Sequence, residues 1–311
     1  MKKEIDLSVT PAGIKMDCPV MVASGTFGCG EEYDSLLDLN RLGALVVKGI
    51  TLQPRRGNPP TRIVETPAGM LNAIGLENVG LEVFMEKKLP FLKQFAVPVI
   101  VNICGADEEE YVRIAARLDG VEGVSGLELN ISCPNIKKGG LSFGREAGTT
   151  RALVAKVRKV TRLPLLVKLS PNVTDIAAIG RAAEEAGADG LSLINTLLGM
   201  SIDIREKRPK LANITGGLSG PAIKPIALLK MHQVHRVCKP HNIPIIGQGG
   251  IATAQDALEF IIAGASAVGI GTALFYDPLV CNKINAGISE YLKQHHFNNV
   301  SDLVGTLQLN S

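Results

Sequence analysis

Two rhythms of apolar and polar positions alternate along the chain. Short runs rich in Val, Ile and Leu are followed by stretches of roughly 10 to 15 residues with helical periodicity. The short runs are Pro19–Ala23, Ala44–Lys48, Pro98–Ile103, Gly126–Ser132, Leu165–Ser170, Gly190–Thr196, Ile243–Gly247 and Ala267–Gly271. Most are apolar at nearly every position, as parallel strands covered on both faces require. The periodic stretches predict helices over Glu31–Asn40, Leu81–Gln94, Asp107–Leu118, Thr149–Val160, Thr174–Ala186, Pro221–Val237, Thr253–Ala263 and Pro278–Gln294. Thr174-Asp175 and Thr253 with Asp256 read as N-terminal caps, and Gly187 and Gly264 as C-terminal stops. Ahead of the first run, IDLSV-TPAG-IKM reads as a β-hairpin able to plug one end of a barrel. Eight strands, each followed by a helix, predict a (β/α)8 TIM barrel, with residues 1–311 forming a single domain. A doubly wound open sheet shares the same alternation, because periodicity carries no information about closure.

Composition narrows the picture. Hydrophobic residues make up 46% of the 311, enough for a packed core, with aromatics at 4% and no Trp. Such a core is filled by Ala, Val, Ile and Leu, which suits a parallel α/β protein. A net charge of +3 gives no electrostatic footprint for nucleic acid. The six cysteines, at 18, 29, 104, 133, 238 and 281, contain no CxxC pair, and no cluster of His and carboxylates marks a metal site. MKKEIDLSVTPAG lacks the apolar run of a signal peptide, and these features together imply a reducing, cytoplasmic setting. Phe260 to Tyr276 carries no charge, but it is short for a membrane span and broken by Gly264, Gly269 and Gly271. It reads instead as a helix end, a turn, a strand and a loop.

In a barrel the C-terminal strand ends carry the site. Here those ends hold Ala23-Ser24-Gly25-Thr26, Lys48-Gly49, Asn102, Asn130 to Asn135, Lys168, Asn195-Thr196, Gly247 to Gly250, and Gly271-Thr272. A lone Asn at such a place would cap a turn. Several Asn and two Lys at successive strand ends converge instead on one place, and none suits a buried strand without partners. The lysines have no carboxylate near them in sequence, and Glu128 reads as a mid-strand structural residue. That pattern points to an anionic ligand, or to a ring that becomes anionic. The glycine-rich stretches GQGGIAT and GIGTALF follow the last two strands, where barrels often bind phosphate. The histidines at 232, 235, 241, 295 and 296 fall on late helices and connectors and read as surface residues.

Cys133 sits in ELNISCPN, just past the fourth strand and at the head of a long loop, CPNIKKGGLSFGREAG, able to close over a site. Most cysteines are inert small hydrophobes, and the other five take that reading. Cys133 has the position of a nucleophile or of a base, and a free thiol pKa near 8.5 makes the second role usable at mildly alkaline pH.

ASGTFGCGEEY, KGIT followed by RxGNPPTRxxET, NAIGLENVG, NISCPN, VKLSPN, INT, GGLSGPAIKP and IIGQGGI together closely resemble the class 1 dihydroorotate dehydrogenases, from about Ile5 to Phe275. CPNIKKGGLSFG resembles the NAD-linked class 1B catalytic subunit rather than the fumarate-linked 1A form. The resemblance implies an FMN-binding barrel that oxidises dihydroorotate to orotate in pyrimidine biosynthesis. It implies a catalytic base at Cys133, with Lys48 and Lys168 also in the catalytic set. It implies FMN contacts from Ser24, Lys48, Gly49, Asn102, Asn130, Lys168, Ile194, Gly220, Gly249, Gly250, Gly271 and Thr272. It implies substrate contacts from Lys48, Asn72, Ala73, Ile74, Gly75, Leu76, Asn130, Asn135, Asn195 and Thr196. It further implies a homodimer flanked by two partner subunits carrying FAD and a 2Fe–2S cluster, a heterotetramer that passes electrons to NAD, with no membrane or nucleic-acid partner. Other readings are a dihydropyrimidine or dihydrouridine oxidoreductase, a cofactor-free barrel lyase or isomerase acting on a phosphorylated metabolite, and a non-catalytic scaffold. The net charge of +3 weighs against an RNA-binding dihydrouridine synthase.

Overall fold

The computed structural model describes residues 5–132 and 143–310. The eight apolar runs form eight parallel strands: β1 Val20–Val22, β2 Leu45–Val46, β3 Val99–Ile103, β4 Gly126–Asn130, β5 Leu165–Lys168, β6 Gly190–Leu193, β7 Ile245–Gln248 and β8 Ala267–Ile270. Each pairs in register with its neighbours, and β1 pairs with both β2 and β8, so the sheet closes into a barrel. Closure rules out the open doubly wound sheet. Every residue of these strands is buried, as walls lined inside and covered outside by helices demand.

The helices follow the periodic stretches with small shifts. They run over Glu108–Leu118, Ala147–Arg158, Ile176–Glu185, Lys224–Cys238, Ala254–Ile262 and Val280–Gln294. The stretch Leu81–Leu92 is helical throughout but contains a wide turn of π type at Phe84–Lys88. Local chemistry sets several starts. Asp107 accepts from the Glu110 amide, Asp175 accepts from that of Ala178, and Thr253 with Asp256 forms a reciprocal capping box.

Val9 and Met16 exchange two backbone hydrogen bonds of 3.0 and 2.9 Å around the turn Pro11–Gly13. This hairpin sits beneath the barrel. A Cβ placed on Gly126, the first residue of β4, would come within 2.9 Å of Ile14 Cδ1 and 3.2 Å of the Pro164 carbonyl oxygen, so the hairpin packs directly against bare backbone there.

Two expectations fail. Glu31–Asn40 is not a helix: it forms a series of turns ending in a short 3-10 turn at Leu39–Arg41. Tyr33 stacks on Phe27 with centroids 4.2 Å apart and donates its hydroxyl to the Thr26 carbonyl, which ties the segment to the preceding loop in place of a helical ladder. The histidines are also not uniformly at the surface. His241, His295 and His296 are exposed, whereas His232 and His235 are half-buried.

The His235 ring lies against Gly264 and Gly305, and its Nε2 is buried without a hydrogen-bond partner among the described residues. Burial lowers its pKa from 6.5, and the charges of Lys239 and His232 lower it further. A depressed folded value means the neutral ring favours the fold. That stability is complete above the unfolded value and is lost as pH falls through the folded one. Between about pH 7.5 and about pH 5.5, the thermal midpoint of the wild type should therefore fall more than that of His235→Phe. Equal falls would remove His235 from the account.

The sequence pattern did not foresee a second sheet. Ile63–Thr66, Gly69–Asn72, Thr215–Ser219 and Leu197–Met200 form four antiparallel strands in that spatial order. The first two strands belong to the excursion after β2 and the other two to the excursion after β6. Leu71, Ala73 and Leu211 form a small apolar core of their own, with Val64 and Leu218 packed against it. No helix among the described residues is long and apolar enough to cross a membrane.

Candidate active site

One cavity of about 450 Å³ opens at the C-terminal ends of the barrel strands, bordered by the second sheet. It gathers residues far apart in sequence. Ser24, Lys48 with Gly49, Asn102, Asn130, Lys168 and Ile194 come from the ends of β1 to β6, and Gly249, Gly250, Gly271 and Thr272 from the ends of β7 and β8. Asn72, Ile74, Gly75 and Leu76 reach it from the excursion after β2, and Asn195, Thr196 and Gly220 from that after β6.

Ala73 departs from its expected place. It does not line the cavity, because its side chain is buried with Leu71 and Leu211 in the core of the second sheet. Cys133 and Asn135, and most of the long loop expected after β4, lie outside the described residues. The described ends of that gap are both tied down. Ser132 donates its amide and its hydroxyl to Asn130 Oδ1 at 3.2 and 2.9 Å. On the far side, Phe143 meets Tyr111 edge-on at 5.8 Å, and its carbonyl accepts from Thr150 Oγ1 at 2.8 Å.

The strand-end amides form a continuous row. Asn102 Oδ1 accepts from Asn130 Nδ2 at 3.2 Å, and Asn195 Nδ2 donates to Ser132 Oγ at 2.9 Å. Tyr111 fixes the backbone of the row from outside by donating its hydroxyl to the Asn130 carbonyl at 2.7 Å. Asn172 supports the next loop, donating to the Thr196 carbonyl and accepting from the Leu198 amide, each at 2.9 Å.

The electrostatics correct one expectation. Lys168 has a protein counter-ion, since its Nζ lies 3.7 Å from Glu128 Oε2, with side-chain exposures of 4% and 0%. The two residues are distant in sequence but sit on adjacent strands, where Lys168 is directly opposite Asn130, two residues beyond Glu128. Lys168 Nζ also donates to Ser24 Oγ at 3.1 Å, which links β5 to the loop after β1. Lys48 is half-buried and has no carboxylate partner among the described residues. Glu128 itself accepts from Ser192 Oγ at 2.7 Å and from Asn102 Nδ2 at 2.5 Å.

Two lining residues were passed over in the sequence. Gln248 lies in the GQGG stretch, where attention to glycine hid it. Its Nε2 is buried and has no partner among the described residues. Ser219, in GGLSG, accepts from Thr272 Oγ1 at 2.8 Å and so joins the second sheet to the end of β8. Around them the backbone leaves no room for side chains. A Cβ on Gly250 would come within 2.9 Å of the Gly220 carbonyl oxygen.

Among the described residues no group of His, Cys, Asp and Glu could hold a metal ion. The other five cysteines, at 18, 29, 104, 238 and 281, are buried. Burial pushes the Cys29 thiol up to about 11 and the Cys238 and Cys281 thiols up to about 12, so these stay protonated and inert.

Comparison with known proteins agrees with this arrangement. The family model for dihydroorotate dehydrogenase matches residues 6–292. The protein named dihydroorotate dehydrogenase B (NAD(+)), catalytic subunit, from Geobacter sp. (strain M21) is 56% identical over 304 residues, covering 98% of this chain and 99% of its own. A protein of the same name from Desulforamulus reducens is 53% identical over 306 residues, covering 98% and 100%. The crystal structure of DHODH in complex with ferulenol from Eimeria tenella superposes with a TM-score of 0.81 at 26% identity, covering 98% of this chain and 89% of that one. A match this extensive, on a barrel whose strand ends converge as described, places the chain in the dihydroorotate dehydrogenase family.

Proposed function

We propose that this chain is the FMN-binding catalytic subunit of an NAD-linked dihydroorotate dehydrogenase, a single barrel domain that oxidises (S)-dihydroorotate to orotate in the cytoplasm for pyrimidine biosynthesis. The observation that carries the reading is one cavity in which the strand-end Asn and Lys residues meet the glycine stretches after β7 and β8, in a member of this family.

The residues present fit FMN. Gln248 offers a buried donor still lacking a partner, and Gly249, Gly250 and Gly271 line the cavity with backbone alone. Ser24, Lys48, Gly49, Asn102, Asn130, Lys168, Ile194, Gly220 and Thr272 complete the set that would hold it. When bound, FMN supplies an acceptor for the hydride leaving C6 of the substrate.

The chain's own residues do the rest. Cys133 takes the proton from C5 as general base, so that the C5–C6 double bond forms as the hydride departs. The planar amides of Asn72, Asn130, Asn135 and Asn195 match the imide and carboxylate edges of a dihydropyrimidine, and Thr196 adds a hydroxyl. Lys48 supplies positive charge for the substrate carboxylate. Lys168 stabilises the negative charge that the cofactor gains on reduction. Ile74 and Leu76 present apolar surface at the mouth and help exclude water.

Electrons then leave through a partner subunit carrying FAD and a 2Fe–2S cluster, in a heterotetramer built on a homodimer of this chain. The relatives' name, catalytic subunit with NAD(+), supports association with a partner subunit. So do the exposed apolar side chains of Leu198, Met200, Ile202 and Ile214, which form surface that association would cover.

The test is direct. The purified chain should be yellow, release FMN on denaturation and bleach anaerobically with dihydroorotate. It should reduce NAD only when the partner is added. Colourless protein from a riboflavin-replete host would refute the flavin reading, and efficient fumarate reduction by the isolated chain would replace NAD with fumarate as acceptor.

A further inference from the structure

We infer that Glu128 is a positioning residue for this cavity, which through one carboxylate sets the orientation of the asparagine row and offsets the charge of Lys168. The inference rests on the reading that FMN binds here. Glu128 is fully buried on β4 and is not among the residues that line the cavity, whereas two of its three partners among the described residues, Asn102 and Lys168, are. Packing alone would select an apolar side chain at such a place, since buried ion pairs seldom add stability over a well-packed hydrophobic set.

The carboxylate only accepts hydrogen bonds, and this gives the row its direction. Asn102 must turn its amide nitrogen toward Glu128 Oε2, at 2.5 Å, and therefore its oxygen toward Asn130 Nδ2, at 3.2 Å. Asn130 must then present its own oxygen to Ser132, whose hydroxyl is held at 2.9 Å, and the same hydroxyl receives Asn195 Nδ2 at 2.9 Å. A glutamine at 128 can donate as well as accept, so the Asn102 amide loses the constraint that fixes its flip state. The second consequence is electrostatic. With Glu128 Oε2 3.7 Å from its Nζ, Lys168 presents a partly neutralised charge to any anion in the cavity.

The experiment uses the yellow holoenzyme with Glu128→Gln and Glu128→Asp, and reads the flavin midpoint potential, sulfite affinity and the KM for dihydroorotate. In the Gln variant Lys168 is no longer offset. The potential should rise by about 30 mV, a tenfold change in the ratio of reduced to oxidised flavin for a two-electron couple. Sulfite should bind about tenfold more tightly, and KM should rise about fivefold as the row loosens. The Asp variant keeps the charge and should leave the potential near that of the wild type.

A yellow Gln variant that is less heat-stable but has unchanged potential and KM would overturn the inference and leave Glu128 as scaffold. If the Gln variant does not fold, Ser192→Ala decides the matter. It strips one donor from the carboxylate and should lower the potential, and an unchanged value again overturns the inference. A colourless wild type defeats the flavin reading itself and is thereby distinguishable from either result.

Discussion

Replacing Cys133 with alanine should leave FMN bound and slow anaerobic flavin reduction by dihydroorotate at least about 100-fold, within the range that a positioned general base supplies. The proton at C5 is carbon-bound and is lost slowly without a base. Among the described residues, none that lines the cavity offers a ready replacement. The lysines are cationic, the asparagines have no basic nitrogen, and the acids Glu77 and Asp277 come from peripheral excursions rather than from strand ends. The measurement is stopped-flow bleaching of the yellow band with oxygen excluded, alongside the absorbance ratio that reports flavin occupancy. Bleaching at a near-normal rate would sink the assignment of the base. Loss of flavin from the variant would shift Cys133 from proton transfer to cofactor retention.

Lys168→Met should destabilise the folded chain by about 3 kcal/mol, the usual range when one partner of a buried ion pair is removed. The methionine fills most of the space, so the loss reports charge rather than a cavity. Glu128 keeps its hydrogen bonds from Ser192 and Asn102 but loses its only nearby cation among the described residues. Urea unfolding should show a lower midpoint with an unchanged slope. Adding Glu128→Gln to Lys168→Met should recover part of the loss, because the stranded charge is then gone. A single-variant loss below about 1 kcal/mol, or no recovery in the double variant, would mean that the pair is not held as an ion pair.

The barrel was legible because its signal is redundant. Each wall strand is a short, mostly apolar run buried on both faces, and there are eight of them in order. Closure was not legible, since it depends on β1 meeting β8 and no local pattern records that contact. The segment 31–40 misled because EEYDSLLDLN carries helical spacing, while the decisive interactions of Tyr33 are made with the preceding loop at Phe27 and Thr26. The second sheet stayed hidden for a different reason. Four of the five residues of Thr215–Ser219 are glycine or small and polar, and its partners Gly69–Asn72 lie well over a hundred residues earlier, so neither strand announces itself alone. At the site, strand-end position was enough to find the lysines and asparagines, but not their pairing. Glu128 read as structural because its alignment with Lys168 is set by barrel register, not by sequence distance. Gln248 was missed because an amide among glycines gives no chemical signal until its nitrogen is seen to be buried without a partner.

The roof over the cavity is one fabric woven from two separate threads. Asn72 is paired with Gly217, Leu71 with Leu218 and Met70 with Ser219, so the strip that leads into Ile74 to Leu76 takes its register from the opposite side of the barrel. Gly217 is also where Thr196 crosses, so closely that an added Cβ would come within 2.0 Å of Thr196 Oγ1. Transplanting one excursion into another barrel would therefore carry a torn edge, with its backbone groups unmated and its small core of Leu71, Ala73 and Leu211 split between host and graft. The exchangeable unit for changing what this mouth admits is the pair of excursions moved together, with the eight walls beneath left as they are.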